Sequence, residues 1–87
     1  MSRIFFLDAG WTDYLYWQSV DKKILRKINS LLKSIERNGA MKGEGKPEKL
    51  SYRNNDYSRR IDKTNRLVYE IVNDTIVVKS CRGHYDN

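Results

Sequence analysis

Cysteine is all but missing from this chain: Cys81 stands alone among 87 residues. A single thiol excludes an intramolecular disulfide framework, and it excludes a cysteine-based zinc cluster. Histidine is as scarce, with His84 alone, and no convincing acidic pair accompanies it. The clustered ligands that metal catalysis requires are therefore lacking, and no cofactor is expected. Long apolar runs are missing too. Nothing approaches the ~20 residues that a membrane span needs, and Met1-Ser2-Arg3 leads into only Ile4 to Leu7, unlike a secretory leader. A soluble protein of the reducing cytoplasm is the expectation. Repeats, low-complexity tracts and linkers are also absent, so residues 1–87 are expected to form one domain on one small core.

Acidic residues are in deficit, with 11 Asp and Glu against 17 Lys and Arg, for a net charge of +6. Small basic domains bind polyanions, most often nucleic acid, because each neutralised phosphate releases counterions. Basicity alone leaves open the plainer reading, that it serves solubility.

What is present has clear periodicity. Arg3 to Leu7 reads as a first strand, and Asp8 is placed to cap a short helix with Trp11, Tyr14, Leu15 and Gln18 at helical spacing. Asp21 opens a second helix, whose apolar positions Ile24, Leu25, Ile28, Leu31, Leu32 and Ile35 follow a 3.6-residue period. Lys22, Lys23, Arg26, Lys27 and Lys33 crowd its other face, and Asn38-Gly39 is a good stop. Residues 40–48, with two glycines and the only proline, suit neither helix nor strand. Strands are expected over Leu50 to Arg53, Tyr57 to Ile61, Arg66 to Val72 and Thr75 to Cys81, the last two joined by a tight turn at Asn73-Asp74. The order βααββββ predicts an α+β fold, with two N-terminal helices on one face of a mostly antiparallel sheet. The other face, carrying arginines, is left open to a ligand.

Few residues here can move a proton near neutral pH. His84, followed by Tyr85, is the best matched. A lone histidine is usually inert, but Arg59, Arg60, Arg66 and Arg82 all come from the same strands. Strand alternation sends Arg59 and Arg60 to opposite faces, so one of them faces away from any shared cleft. The arginines can be a solvated sheet surface, or they can clamp a phosphodiester, which guanidinium binds bidentately. Glu48, just after Pro47, is either a loop carboxylate paired with Lys46 or Lys49, or an ionised base held among cations. With Glu48 as base, His84 as acid and arginines on the phosphate, RNA could be cut without metal, its 2′-hydroxyl acting as nucleophile. Gly43-Glu44-Gly45-Lys46 lacks the length and the Ser/Thr of a phosphate-binding loop, and Cys81 reads as buried filler.

Five segments carry a resemblance: Trp11 to Trp17, Gly43 to Leu50, Tyr57 to Ile61, Asn65 to Tyr69, and Cys81 to Tyr85. In order and spacing they resemble the YoeB/Txe toxins of the RelE superfamily, over residues 3–85. The resemblance implies a compact fold shared with microbial ribonucleases and ribosome-dependent cleavage of messenger RNA in the ribosomal A site, which inhibits translation. It also implies a homodimer, and neutralisation by a cognate antitoxin whose C-terminal segment folds onto the toxin; the basic face argues that this antitoxin is acidic. Carried over by residue, Glu48 matches the general base, His84 the general acid and Arg66 the arginine that stabilises the charged phosphoryl transition state. Tyr85 matches the tyrosine that orients substrate, and Lys49 and Arg60 match substrate contacts. The chain departs from many relatives in having Tyr57 where they have Trp and Asn65 where they have His, and in running on to Asp86 and Asn87. A non-catalytic RNA- or ribosome-binding module and a gyrase-inhibiting RelE-like toxin are the rival readings. Neither gives a reason for Glu48, Arg66 and His84-Tyr85 to occur together.

Overall fold

The computed structural model describes residues 3–50 and 55–83. Chain order is β1 (Arg3–Phe6), α1 (Asp8–Val20), α2 (Lys22–Asn38), β2 (Glu48–Lys49), β3 (Asp56–Arg60), β4 (Arg66–Val72) and β5 (Thr75–Ser80). The expected βααββββ order is present. The strands form one sheet in the order β1-β5-β4-β3-β2, antiparallel except where β1 runs parallel to β5.

Local chemistry explains most boundaries. Asp21 caps α2, its Oδ1 accepting from the amides of Lys23 at 3.0 Å and Ile24 at 3.2 Å, which satisfies two donors that a helix start leaves orphaned. The helix stops at Gly39, whose φ of 89° suits a residue without a side chain. Asn73 and Asp74 both have positive φ, 47° and 67°, the geometry of a two-residue turn whose twist matches its strands. The start of α1 corrects an expectation. Leu7 is the cap residue and makes no side-chain bond, while Asp8 already lies in the first turn. There its charge still faces the positive end of the helix dipole.

The core lies between the helices and one sheet face. Ile28, Leu31, Leu32 and Ile35 from α2 and Trp17 from α1 meet Leu67, Tyr69, Ile76, Val78 and Cys81. Each aliphatic side chain buried this completely contributes about 1.5–3 kcal/mol. On α1 the buried pair is Gly10 and Trp17, while Trp11 and Leu15, two members of the expected stripe, are exposed. Gly10 sets this rotation. A Cβ there would stand 2.5 Å from the Val78 carbonyl oxygen, so α1 lies closer to β5 than any side chain would permit. Trp11 is left outside, stacked on Tyr14 and edge-on to Phe6. No described helix is long and apolar enough to cross a membrane.

Candidate active site

Strand β3 has two jobs because its side chains alternate. Ser58 points to the face without helices, and Arg59 points into the core. Glu48 on β2 is in register with Ser58, and Ser58 with Val68, while Arg60 is in register with Arg66 on β4. The open face therefore brings together groups from three neighbouring strands.

Arg66 is the centre of that group. Its Nε donates to Ser58 Oγ at 2.6 Å and its Nη2 to Glu48 Oε1 at 2.7 Å. Among the described residues nothing bonds Nη1. Exposure divides the labour: the Arg66 side chain is 13% exposed and that of Glu48 58%. The cation is held still, and the carboxylate can be reached from solvent. Glu48 also corrects its expected setting, since it opens strand β2 instead of ending a loop. The expected strand from Leu50 to Arg53 falls largely outside the described residues.

The backbone at the start of β4 bonds the segment that follows β5. The Arg66 amide donates to Gly83 O at 3.0 Å, and the Gly83 amide donates to Asn65 Oδ1 at 2.8 Å. Asn65 is held in turn by Asp62, which accepts from its amide at 2.7 Å and from its side-chain Nδ2 at 3.1 Å. From the other side, α1 grips Cys81. Asp13 Oδ2 accepts from its amide at 3.0 Å, and Trp17 Nε1 donates to its carbonyl at 2.8 Å. Residues 81–83 are thus clamped between α1 and the start of β4. His84 and Tyr85, expected to supply acid and orientation, lie outside the described residues, as do Asp86 and Asn87.

A family model for YoeB-like toxins of bacterial type II toxin–antitoxin systems matches residues 6–85. The chain belongs to that family. It is 42% identical to the toxin YoeB of Escherichia coli K12 over 84 residues, 95% of this chain and 99% of that one. It superposes on the YoeB dimer structure from Staphylococcus aureus with a TM-score of 0.92 at 50% identity, covering 97% and 98% of the two chains. The toxin chain in the heterotetrameric YoeB–YefM toxin–antitoxin complex from the same organism gives 0.89 at 49% identity, covering 98% and 99%.

Within this YoeB-like frame, the residues expected at the site separate into groups. Glu48 and Arg66 touch, and Arg60 is exposed in register beside Arg66. Lys49 is exposed on the edge strand, but alternation turns it away from the face that holds Glu48. Arg82 is exposed with its guanidinium 3.6 Å from the centre of the Tyr16 ring, a cation–π contact that leaves its outer face open.

Arg59 overturns its expected role in substrate binding. It is fully buried, the arginine of the pair that faces away. Its Nε donates to Tyr69 Oη at 2.9 Å, Nη1 to Glu44 O at 2.7 Å and Ser34 Oγ at 3.1 Å, and Nη2 to Gly39 O at 2.8 Å and Lys42 O at 2.7 Å. A buried cation needs such a full set of acceptors, and substrate cannot reach it.

Sequence reasoning did not find Ser58, Asn65 or Asp13. Small polar residues within strand or turn patterns give no periodic signal, and their partners are eight to 68 residues distant. Cys81 is buried as expected, and burial pushes its thiol up to about 12. Farther along the open face Lys79 bridges Asp56 at 2.6 Å and Glu70 at 3.3 Å. The hydrogen bond to Asp56, helped by that to Glu70, holds the ammonium above its ordinary value.

Proposed function

We propose that this chain is a ribosome-dependent endoribonuclease that cuts messenger RNA in the ribosomal A site and so arrests translation. One observation carries the reading. A solvent-facing carboxylate, Glu48, lies 2.7 Å from a guanidinium, Arg66, that Ser58 pins from behind. Base and phosphate clamp therefore stand side by side, as an attack by the 2′-hydroxyl on its own phosphodiester requires. Gly83, which precedes His84 in the sequence, is bonded to the Arg66 backbone.

Glu48 takes the proton of the 2′-hydroxyl, whose oxygen attacks the adjacent phosphorus. Arg66 stabilises the charge that builds on the non-bridging oxygens. His84 gives its proton to the departing 5′-oxygen as the P–O bond breaks, leaving a 2′,3′-cyclic phosphate and a 5′-hydroxyl. Tyr85 orients the substrate, and Arg60, Lys49 and Arg82 contact it. No metal ion is needed, since the arginines hold their charge across the working pH range. The protein acts in the cytoplasm. Its partners are the ribosome with its message, a second copy of the chain, as in the Staphylococcus aureus YoeB dimer, and an acidic antitoxin, as YefM partners YoeB in the solved complexes. The antitoxin's C-terminal segment orders on the basic toxin face.

The test is single-turnover cleavage on ribosomes programmed with messenger RNA. Glu48→Gln is expected to slow it by ~10²–10⁴, the usual worth of a general base. A single 2′-deoxy nucleotide at the scissile position is expected to block it. Normal cutting of the modified message, with a 5′-phosphate on the product, would mean that water is the nucleophile and the reading is wrong.

A further inference from the structure

We infer that Arg59 is a positioning residue for catalysis. Resting on the proposed function, the inference is that its buried guanidinium sets the path of residues 39–47 and thereby holds Glu48 in register with Ser58 and against the Arg66 guanidinium. These residues need such a device. They have no ladder of their own, and Gly39, Gly43, Gly45 and Lys46 all take positive φ. Left alone, such a segment samples many conformations, and Glu48 would move with it.

The carbonyls of Gly39, Lys42 and Glu44 instead converge on one planar cation. Tyr69 Oη adds a second tie, accepting from Arg59 Nε and donating to Ala40 O. Glu44, whose backbone carbonyl is one of the three, is fixed at its side chain by Lys27 Nζ and Ser30 Oγ, both at 2.6 Å. The segment leaves this hub through Gly45, whose carbonyl accepts from the Arg60 amide at 2.7 Å, and through Lys46 and Pro47 it delivers Glu48. Arg59 is also next to Ser58, which holds Arg66 from behind. Both members of the Glu48–Arg66 pair thus trace to adjacent residues of β3, one through the loop and one directly. A planar fork of donors can gather several carbonyls at fixed angles, whereas an ammonium cannot hold them all in one plane.

The test is a double-mutant cycle on single-turnover cleavage by the full chain on programmed ribosomes. Arg59→Lys keeps the charge and loses the fork; Tyr69→Phe removes only the second tie. Each is expected to lower the maximal rate, Arg59→Lys by tenfold or more and Tyr69→Phe by several-fold, with the half-saturating ribosome concentration unchanged. In a Glu48→Gln background the same substitutions are expected to change the rate by less than twofold, because the group they position has lost its function. Amide exchange at Glu44 and Arg60 should quicken in both variants, while β4 and β5 stay protected. If Arg59→Lys does not fold, Tyr69→Phe supplies the same comparison. An equal proportional loss in both backgrounds would overturn the inference, since Arg59 would then support the fold without acting through Glu48. Full activity of Glu48→Gln by itself would instead sink the acid–base reading, and this inference with it.

Discussion

Glu44 and Cys81 are two residues through which pH should act on stability, from opposite ends of the scale. The hydrogen bond from Lys27, then that from Ser30, holds the Glu44 carboxyl below its ordinary 4.5. A carboxyl depressed in the folded state adds stability that is present above its unfolded value and is lost as pH falls through the folded one. Chemical denaturation followed from pH 6 downward should therefore show a steeper acid loss in the parent chain than in Glu44→Gln. Equal slopes would mean that the Lys27–Glu44 pair is fully screened. At the other end, burial raises the Cys81 thiol from 9.0 to about 12. An acid raised in the folded state contributes stability that holds below the unfolded value and falls away as pH rises towards the folded one. Cys81→Ala should thus flatten part of the alkaline decline. Below that range the neutral, buried thiol should resist alkylation until the protein is unfolded, because the thiolate is the nucleophile. Rapid labelling of the native chain would show that the packing around Cys81 opens readily.

At the scale of elements, legibility followed periodicity. The α2 stripe from Ile24 to Ile35 repeats often enough to fix both the helix and its buried face, and the β4–β5 hairpin announces itself by β-branched runs around Asn73-Asp74. Helix α1 was only half legible. Its aromatic residues fall at helical spacing on more than one face, and the buried face is decided by Gly10, which has no hydrophobic signal at all. Strand β2 at Glu48–Lys49 gives no signal in the sequence, because two residues on a sheet edge are set by their partners Tyr57 and Ser58, not by their own composition. The same limit applied to the site. Alternation predicted that one of Arg59 and Arg60 would be lost to the substrate, but only the loop's carbonyls determine which. Gly10 gives a sharp test of the α1 packing. Alanine favours a helix interior over glycine by about 1 kcal/mol, yet here its Cβ would meet a backbone oxygen that cannot swing aside. Gly10→Ala is expected to lower the unfolding free energy by about 1–3 kcal/mol in urea titration. A stabilised variant would show that α1 and β5 have room to part.

Across the whole molecule, the two halves of the site rest on different parts of the chain. Glu48, Ser58 and Arg66 belong to neighbouring strands β2, β3 and β4, whereas Cys81, at the head of the segment that Gly83 ends against β4, depends on Asp13 and Trp17 of α1. Helix α1 in turn follows β1, which pairs with β5 by joining residue 3 to residue 75. Contacts so distant in sequence form late, because the loop must close before they give any return. Time is therefore built into the architecture. The chain's two tryptophans, Trp11 and Trp17, both stand on α1, so their fluorescence reports the docking of that helix. In refolding, the fluorescence change should lag behind amide protection in β3 and β4. A single shared rate would mean that the sheet and α1 form together. With a lag, a newly made chain joins Glu48 to Arg66 first and tethers the segment leading to His84 last, so under the proposed mechanism the molecule is harmless for most of its own folding.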